Sequence, residues 1–204
     1  MDIREFKEPI PHIIIKDFLT DKELEKVWEE IDELDFKTGT YQVDGVEKVT
    51  EGKTNMGCVV NDKYPKIDDS YLRSLFWKKF QTNPDFAGAI GSSTNPFWAL
   101  FAFTKYELTK VSRYSDGDKY DWHPDMTKDG LITIVYQFSK IPQNFTGGDF
   151  EFKNKIGESK TLPFLNNSVI MFPRFYLHRV TPVVSKGKNW HDARFSIQWF
   201  INIR

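Results

Sequence analysis

Arg194-Phe195-Ser196-Ile197-Gln198-Trp199-Phe200 alternates polar and apolar side chains one for one. Successive side chains on a strand point to opposite faces, so this stretch predicts a strand with one apolar and one polar face. Arg194, Ser196 and Gln198 share the polar face. Inside a small barrel such a face needs a ligand or water to satisfy it. Outward from this stretch, the whole second half reads the same way. Strands are predicted over Phe97–Phe103, Glu107–Tyr114, Tyr120–His123, Leu131–Ser139, Gly148–Lys153, Ser159–Phe164, Ser168–Phe172, Leu177–Val184 and Arg194–Ile203. Short strands parted by turns such as Ser115-Asp116-Gly117-Asp118 and Phe145-Thr146-Gly147-Gly148 argue for a sandwich or barrel.

The first part of the chain mixes helix and strand. His12 to Phe18 is a short β-type run. Thr20 and Glu23 form a capping box, and Leu24, Val27, Trp28, Ile31 and Leu34 follow as one helical stripe. A second helix is predicted from about Asp69 to Gln81, with Tyr71, Leu72, Leu75, Phe76 and Phe80 on its buried face. Gly39 to Gly57 reads as a loop or mobile hairpin, and Asn83 to Pro96 as turns. With no composition break, 204 residues suit one domain, mainly β with flanking helices (α+β): a helix-containing support over 1–96 and a β core over 97–204.

Composition narrows the function classes. Net charge is −1, so no global positive field draws the protein to nucleic acid or an anionic membrane. No apolar run is long enough to span a bilayer. Cys58 is the only cysteine, which rules out a disulfide within the chain and leads to the expectation of a reducing, cytoplasmic setting. Cys58 itself reads as a small buried apolar group. Met1 to Glu5 lacks the basic-then-apolar order of a signal peptide.

The chemistry-bearing residues are His123, Asp125 and His178. Side chains at i and i+2 on a strand share a face, so His123 and Asp125 can reach one metal while Pro124 points away. His178 stands on a different predicted strand and can approach from across the barrel. Two imidazoles and a carboxylate are the facial triad that holds non-haem Fe(II) and leaves other positions open. A His-x-Asp pair alone is a weak signal, because a strand-end histidine is more often structural. Arg194 has a bland reading too, as a strand arginine in a surface ion pair.

The order of motifs is more specific than any one of them. Arg113-Tyr114 through Tyr120-Asp121-Trp122-His123-Pro124-Asp125, then Gly147-Gly148-Asp149-Phe150, His178-Arg179-Val180-Thr181-Pro182-Val183 and Arg194 to Phe200 together resemble the prolyl-4-hydroxylase-like family of 2-oxoglutarate- and Fe(II)-dependent dioxygenases. The resemblance covers roughly Lys105 to the C-terminus, and Ile13 to Leu34 looks like that family's usual opening. It implies a double-stranded β-helix (jelly-roll, cupin-like) core. It implies Fe(II) on His123, Asp125 and His178, with 2-oxoglutarate and O2 as co-substrates and ascorbate as accessory reductant. Arg194 matches the residue that pairs with the distal carboxylate of 2-oxoglutarate, a role its planar fork suits. Ser196 shares its face and can add a hydroxyl, and Tyr114 matches a family tyrosine that hydrogen-bonds the co-substrate. Of Tyr136 and Gln137, one can line the pocket. Tyr120 and Trp122 read as packing.

The chain departs from the pattern at Ser185 to Asp192, which is longer than the family's usual hairpin. If that insert shifted the register, Lys186 or Lys188 would replace Arg194, and His191 would rival His178. Gly39–Gly57 and Ser185–Asp192 are the candidate lids. The implied substrate is a prolyl residue in a peptide, with other peptide side chains and small metabolites open. Two other classes stand beside the oxygenase: a non-catalytic jelly-roll binding or scaffold protein, and a zinc hydrolase with the same three ligands.

Overall fold

The computed structural model describes residues 2–38, 40–43, 46–49, 52–125 and 130–203. Its strands are β1 (Asp2–Phe6), β2 (His12–Lys16), β3 (Lys37–Thr38), β4 (Thr40–Val43), β5 (Val46–Val49), β6 (Met56–Val59), β7 (Thr104–Tyr114), β8 (Tyr120–His123), β9 (Gly130–Phe138), β10 (Phe145–Gly147), β11 (Phe150–Lys153), β12 (Ser159–Leu162), β13 (Ser168–Pro173), β14 (Leu177–Val180), β15 (Val183–Ser185) and β16 (Arg194–Ile203). Its helices are α1 (Asp21–Asp32), α2 (Val60–Lys63), α3 (Tyr71–Thr82), α4 (Pro84–Ser92) and α5 (Pro96–Ala99).

From β7 onward the chain passes repeatedly between two antiparallel sheets. The larger sheet has the order β1-β2-β13-β9-β16-β7-β6-β3, and the smaller has β12-β11-β14-β8. Sequential strands β7, β8 and β9 fall in the larger, the smaller and again the larger sheet. The last strand, β16, inserts between β7 and β9. This winding is the double-stranded β-helix, and it leaves a space between the sheets.

Strand alternation decides what fills each side. Phe195, Ile197, Trp199 and Ile201 of β16 join Ile134, Tyr136 and Phe138 of β9 on the outer face. There they meet Val27, Trp28 and Ile31 of α1 and Leu72, Phe76 and Phe80 of α3. Phe76 packs edge-on to both Tyr136 and Trp199. Burying this many aromatic side chains is the main attraction between helices and sheet. The inner face forms a second core of Val135, Phe150, Phe152, Ile170, Phe172 and Val180.

The helix over α1 begins as its sequence predicts: Thr20 accepts from Glu23 N, and the Glu23 carboxylate accepts from Thr20 N. The expected helix near Asp69–Gln81 is α3, opened by Ser70, whose hydroxyl accepts from Arg73 N. Two segments expected to lack helix contain it. Phe97–Phe103, read as a strand from its aromatic content, is α5 followed by a 3-10 turn at Leu100–Phe103. Asn83–Pro96, read as turns from its glycines, contains α4. In both, an asparagine cap followed by proline at the first helical position wins over composition: Asn83 accepts from Phe86 N and Asn95 from Phe97 N, each at 3.0 Å. The single strand expected over Leu177–Val184 is broken at Thr181-Pro182 into β14 and β15, since proline cannot continue the ladder. The strand β1, unremarked in the sequence, pairs antiparallel with β2 at the sheet edge. Within Gly39–Gly57, β4 and β5 form a hairpin and β6 joins β7. Positions 39, 44, 45, 50 and 51 of that stretch lie outside the described residues.

Candidate functional site

The space between the sheets is a cavity lined from both of them. His123 at the end of β8 and His178 on β14 face each other in register. Asp125, just past β8, completes a cluster whose ligand atoms lie within 4.8 Å of one another. His178 Nε2 is 3.3 Å from Asp125 Oδ2, and His123 Nε2 is 3.7 Å from Asp125 Oδ1.

Each group is held for this arrangement. His123 Nδ1 lies 2.7 Å from the Asp121 carbonyl, and His178 Nδ1 lies 3.1 Å from the Tyr176 carbonyl. A carbonyl only accepts, so Nδ1 carries the proton in both rings. That leaves each Nε2 with a free lone pair aimed at the cluster. Tyr120 stacks on His123 with ring centroids 3.4 Å apart, and Phe150 stacks on His178. The Thr133 hydroxyl donates to Asp125 Oδ2 at 2.8 Å. The Asp125 backbone is clamped by Arg174, which accepts from Asp125 N and donates from Nε to Asp125 O. Arg174 is fixed in turn by Asn202.

Burial first, then the charge of His178, pulls the His123 pKa down to about 3. Burial raises that of Asp125, but His178 and the hydrogen bonds outweigh it, and the carboxyl stays below its usual range. His123 and Asp125 are thus in forms that bind a metal. A pH dependence follows for the metal-free protein. The unfolded chain binds a proton at His123 below about 6.5, whereas the folded chain does so only near 3. The stability associated with this group is therefore full above 6.5 and is lost as pH falls through that window, by up to about 1.4 kcal/mol per unit. Urea unfolding at pH 7.5, 6 and 5 should show it, and His123→Gln should flatten the slope.

Across the cavity, Arg194 and Tyr114 are register partners on β16 and β7. Arg194 is 0% exposed, and its guanidinium lies over the Tyr114 ring at 5.1 Å. Its Nη2 donates to Gln137 Oε1 at 3.3 Å. Its Nε and Nη1 are buried and have no partner. Burial pulls the Arg194 pKa to about 10 and pushes that of Tyr114 to about 12, so Arg194 stays cationic and Tyr114 protonated at neutral pH. Ser196 also lines the cavity, and its hydroxyl accepts from Gln198. The glycine pair in the quoted motif makes room for this. A Cβ on Gly148 would stand 2.7 Å from Arg194 Cδ, and one on Gly147 would strike the Pro182 carbonyl; both glycines have positive φ.

The alternatives raised by the insert do not reach the cavity. His191 Nε2 pairs with Asp32 at 2.9 Å and meets Trp28 edge-on. Lys186 donates to the Gln143 carbonyl and, like Lys188, is exposed. Asp192 ties the insert together by accepting from Asn144 and Asn189, so the register of β16 is kept. Gln137 touches Arg194, whereas the Tyr136 hydroxyl donates to Asn167 on the helix side. Cys58 is half-buried, and burial raises its pKa.

Sequence reasoning missed several neighbours. Tyr120, read as packing, lines the cavity, as do Lys53 and Lys110. Lys110, Ser112 and Tyr114 share one face of β7, so its alternation carried that signal. Nothing local marked Lys53, Thr133 or Arg174.

The double-stranded β-helix thus holds a His-Asp-His cluster in its cavity and, opposite it, a guanidinium with two unpartnered nitrogens. Residues 109–202 match the model of the 2OG-Fe(II) oxygenase superfamily. It is 26% identical over 200 residues to an uncharacterized PKHD-type hydroxylase of Synechocystis sp., aligned over 92% of this chain; the chain spans 61% of that relative's length. Among solved structures it resembles a 2OG-Fe(II) oxygenase-family oxidoreductase of Burkholderia pseudomallei (TM-score 0.64, 13% identity, 94% of this chain and 84% of that one). It also resembles a prolyl hydroxylase from Trichoplax adhaerens in complex with a hypoxia inducible factor peptide fragment (TM-score 0.63, 16% identity, 94% and 83%). Both support the fold. Among the described residues, no helix is long and apolar enough to cross a membrane.

Proposed function

We propose that the chain is a 2-oxoglutarate- and Fe(II)-dependent dioxygenase that hydroxylates its substrate with release of succinate and CO2. The observation that carries this is Arg194, a fully buried guanidinium with Nε and Nη1 unpartnered in the same cavity as the metal-ligand cluster. A buried charge without partners is costly unless a ligand completes it. A planar fork of two N–H groups fits a carboxylate.

In this reading His123, Asp125 and His178 hold the ion through Nε2, a carboxylate oxygen and Nε2, and Arg194 binds the distal carboxylate of 2-oxoglutarate. Tyr114 and Ser196 border that end of the co-substrate. Fe(II) and 2-oxoglutarate, with O2, supply the C–H oxidation when bound, and ascorbate keeps the metal reduced between turnovers. The protein orients the groups and excludes water: Thr133 and Arg174 fix Asp125, and Phe150 and Phe172 shield His178. No side chain need act as general base.

The hydroxylase name of the Synechocystis relative and the peptide held by the Trichoplax enzyme support a prolyl residue in a peptide as substrate. A reducing cytoplasmic setting suits both the lone Cys58 and a ferrous site. The test is succinate formation that requires added Fe(II) and 2-oxoglutarate, measured against a panel of proline-containing peptides and amino acids. Zinc at full occupancy with no iron-dependent turnover supports the hydrolase instead, and neither metal nor 2-oxoglutarate binding supports the scaffold.

A further inference from the structure

Among the described residues, three cations line the cavity, Lys53, Lys110 and Arg194, against one carboxylate, Asp125. In the oxygenase reading a divalent metal and a dianionic co-substrate cancel each other, and Arg194 serves that co-substrate. Among the described residues, no further carboxylate of the cavity then stands against Lys53 and Lys110. Lys53 is only 9% exposed. Among the described residues no carboxylate forms an ion pair with either ammonium.

Position separates this pair from the Arg194 end. Lys110 is in register with Gln198, and Tyr114 with Arg194. The four residue steps between those levels of β16 span about 13 Å. In the oxygenase reading the co-substrate runs from the metal to Arg194, so its two ends are already taken and neither is left for the lysines. Lys53 is placed at the metal end: its ammonium lies 4.9 Å above the Tyr120 ring, which stacks on His123. The backbone around it is pinned to β8, with Asp121 N donating to Gly52 O and Lys119 N to the Thr54 hydroxyl. The Lys110 stem runs close under Gly57, where a Cβ would meet its Cε at 3.2 Å. Burial, and next the Lys110 charge, pull the Lys53 pKa well below its ordinary value, the reverse of what a bound anion would do.

We propose that Lys53 and Lys110 form an anion subsite beside the metal ligands, which receives a carboxylate carried by the substrate and so selects acidic substrates. This rests on the oxygenase reading for the assignment of Arg194. The carboxylate can belong to an acidic side chain of a peptide or to a small acid, and the test separates the two.

The protein is loaded with Mn(II), which blocks turnover, and saturated with 2-oxoglutarate. Capped tetraglutamate and tetraglutamine, and N-acetylglutamate and N-acetylglutamine, are then titrated in by calorimetry. We expect at least one acid to bind about tenfold or more tightly than its amide, and that preference to shrink to about twofold or less in Lys53→Gln and Lys110→Gln while Lys110→Arg keeps it. Preference for tetraglutamate alone assigns a peptide, and preference for N-acetylglutamate a small acid. Equal binding of acid and amide by the wild type overturns the subsite. So does a fall of about tenfold in 2-oxoglutarate affinity in the lysine variants, which would assign the pair to the co-substrate. Failure of the wild type to bind 2-oxoglutarate at all sinks the reading beneath the proposal, and the initial loading step reads that separately.

Discussion

In Asp125→Ala, iron-dependent succinate formation is expected to fall below detection. Asp125 is the only carboxylate of the cluster, and its removal leaves two neutral imidazoles to hold a divalent ion. Changes to groups that merely support metal ligands cost about 10- to 100-fold, so loss of a ligand should exceed that. Asp125→Asn sharpens the result. It keeps the shape and an acceptor for the Thr133 hydroxyl but removes the charge, and should also lose most metal affinity in anaerobic equilibrium dialysis. His178→Ala should behave like Asp125→Ala, while His191→Ala, whose ring is engaged with Asp32, should turn over normally. Wild-type turnover in His178→Ala with loss in His191→Ala would reverse the assignment.

Arg194→Met is the second large effect, and it has two opposite readouts. The apparent KM for 2-oxoglutarate should rise by about 30-fold or more, since losing one partner of a buried charged pair costs roughly 2–5 kcal/mol. The metal-free variant should nevertheless unfold at a temperature no lower than wild type. In the absence of ligand, Arg194 is a buried cation with two unpartnered nitrogens beside Tyr114, and methionine fills similar space without that cost. A residue that merely supported the fold would lose stability and leave KM alone. Initial rates over a 2-oxoglutarate series, with thermal unfolding of the same preparations, distinguish the two.

The site was legible where chemistry and strand period coincide. His123 and Asp125 at i and i+2, His178 in its motif, and Arg194 and Ser196 on the polar face of β16 could be read because each residue type is unusual in its local pattern. Tyr114 was read through the same motif order. Gln137 could be separated from Tyr136 only by seeing which face of β9 meets the helices. Lys53 was not legible, because it approaches from a segment 67 residues before Tyr120 in sequence and touches β8 through a single bridge. Arg174 acts on Asp125 through backbone groups, which leave no mark on the side-chain sequence. In the fold, the helices at Pro84 and Pro96 were hidden by glycine and aromatic content, although their Asn-Pro starts were in plain view.

Metal and 2-oxoglutarate are expected to occupy one cavity, joined by His123, Asp125 and His178 on one side and by Arg194 on the other. Anaerobic calorimetric titration of 2-oxoglutarate into the full chain, with and without Fe(II), measures that directly. One equivalent should bind with Fe(II), binding should be at least about tenfold weaker without it, and the Fe(II) effect should be lost in Asp125→Ala. Equal binding with and without the metal, or no binding in either case, would contradict it.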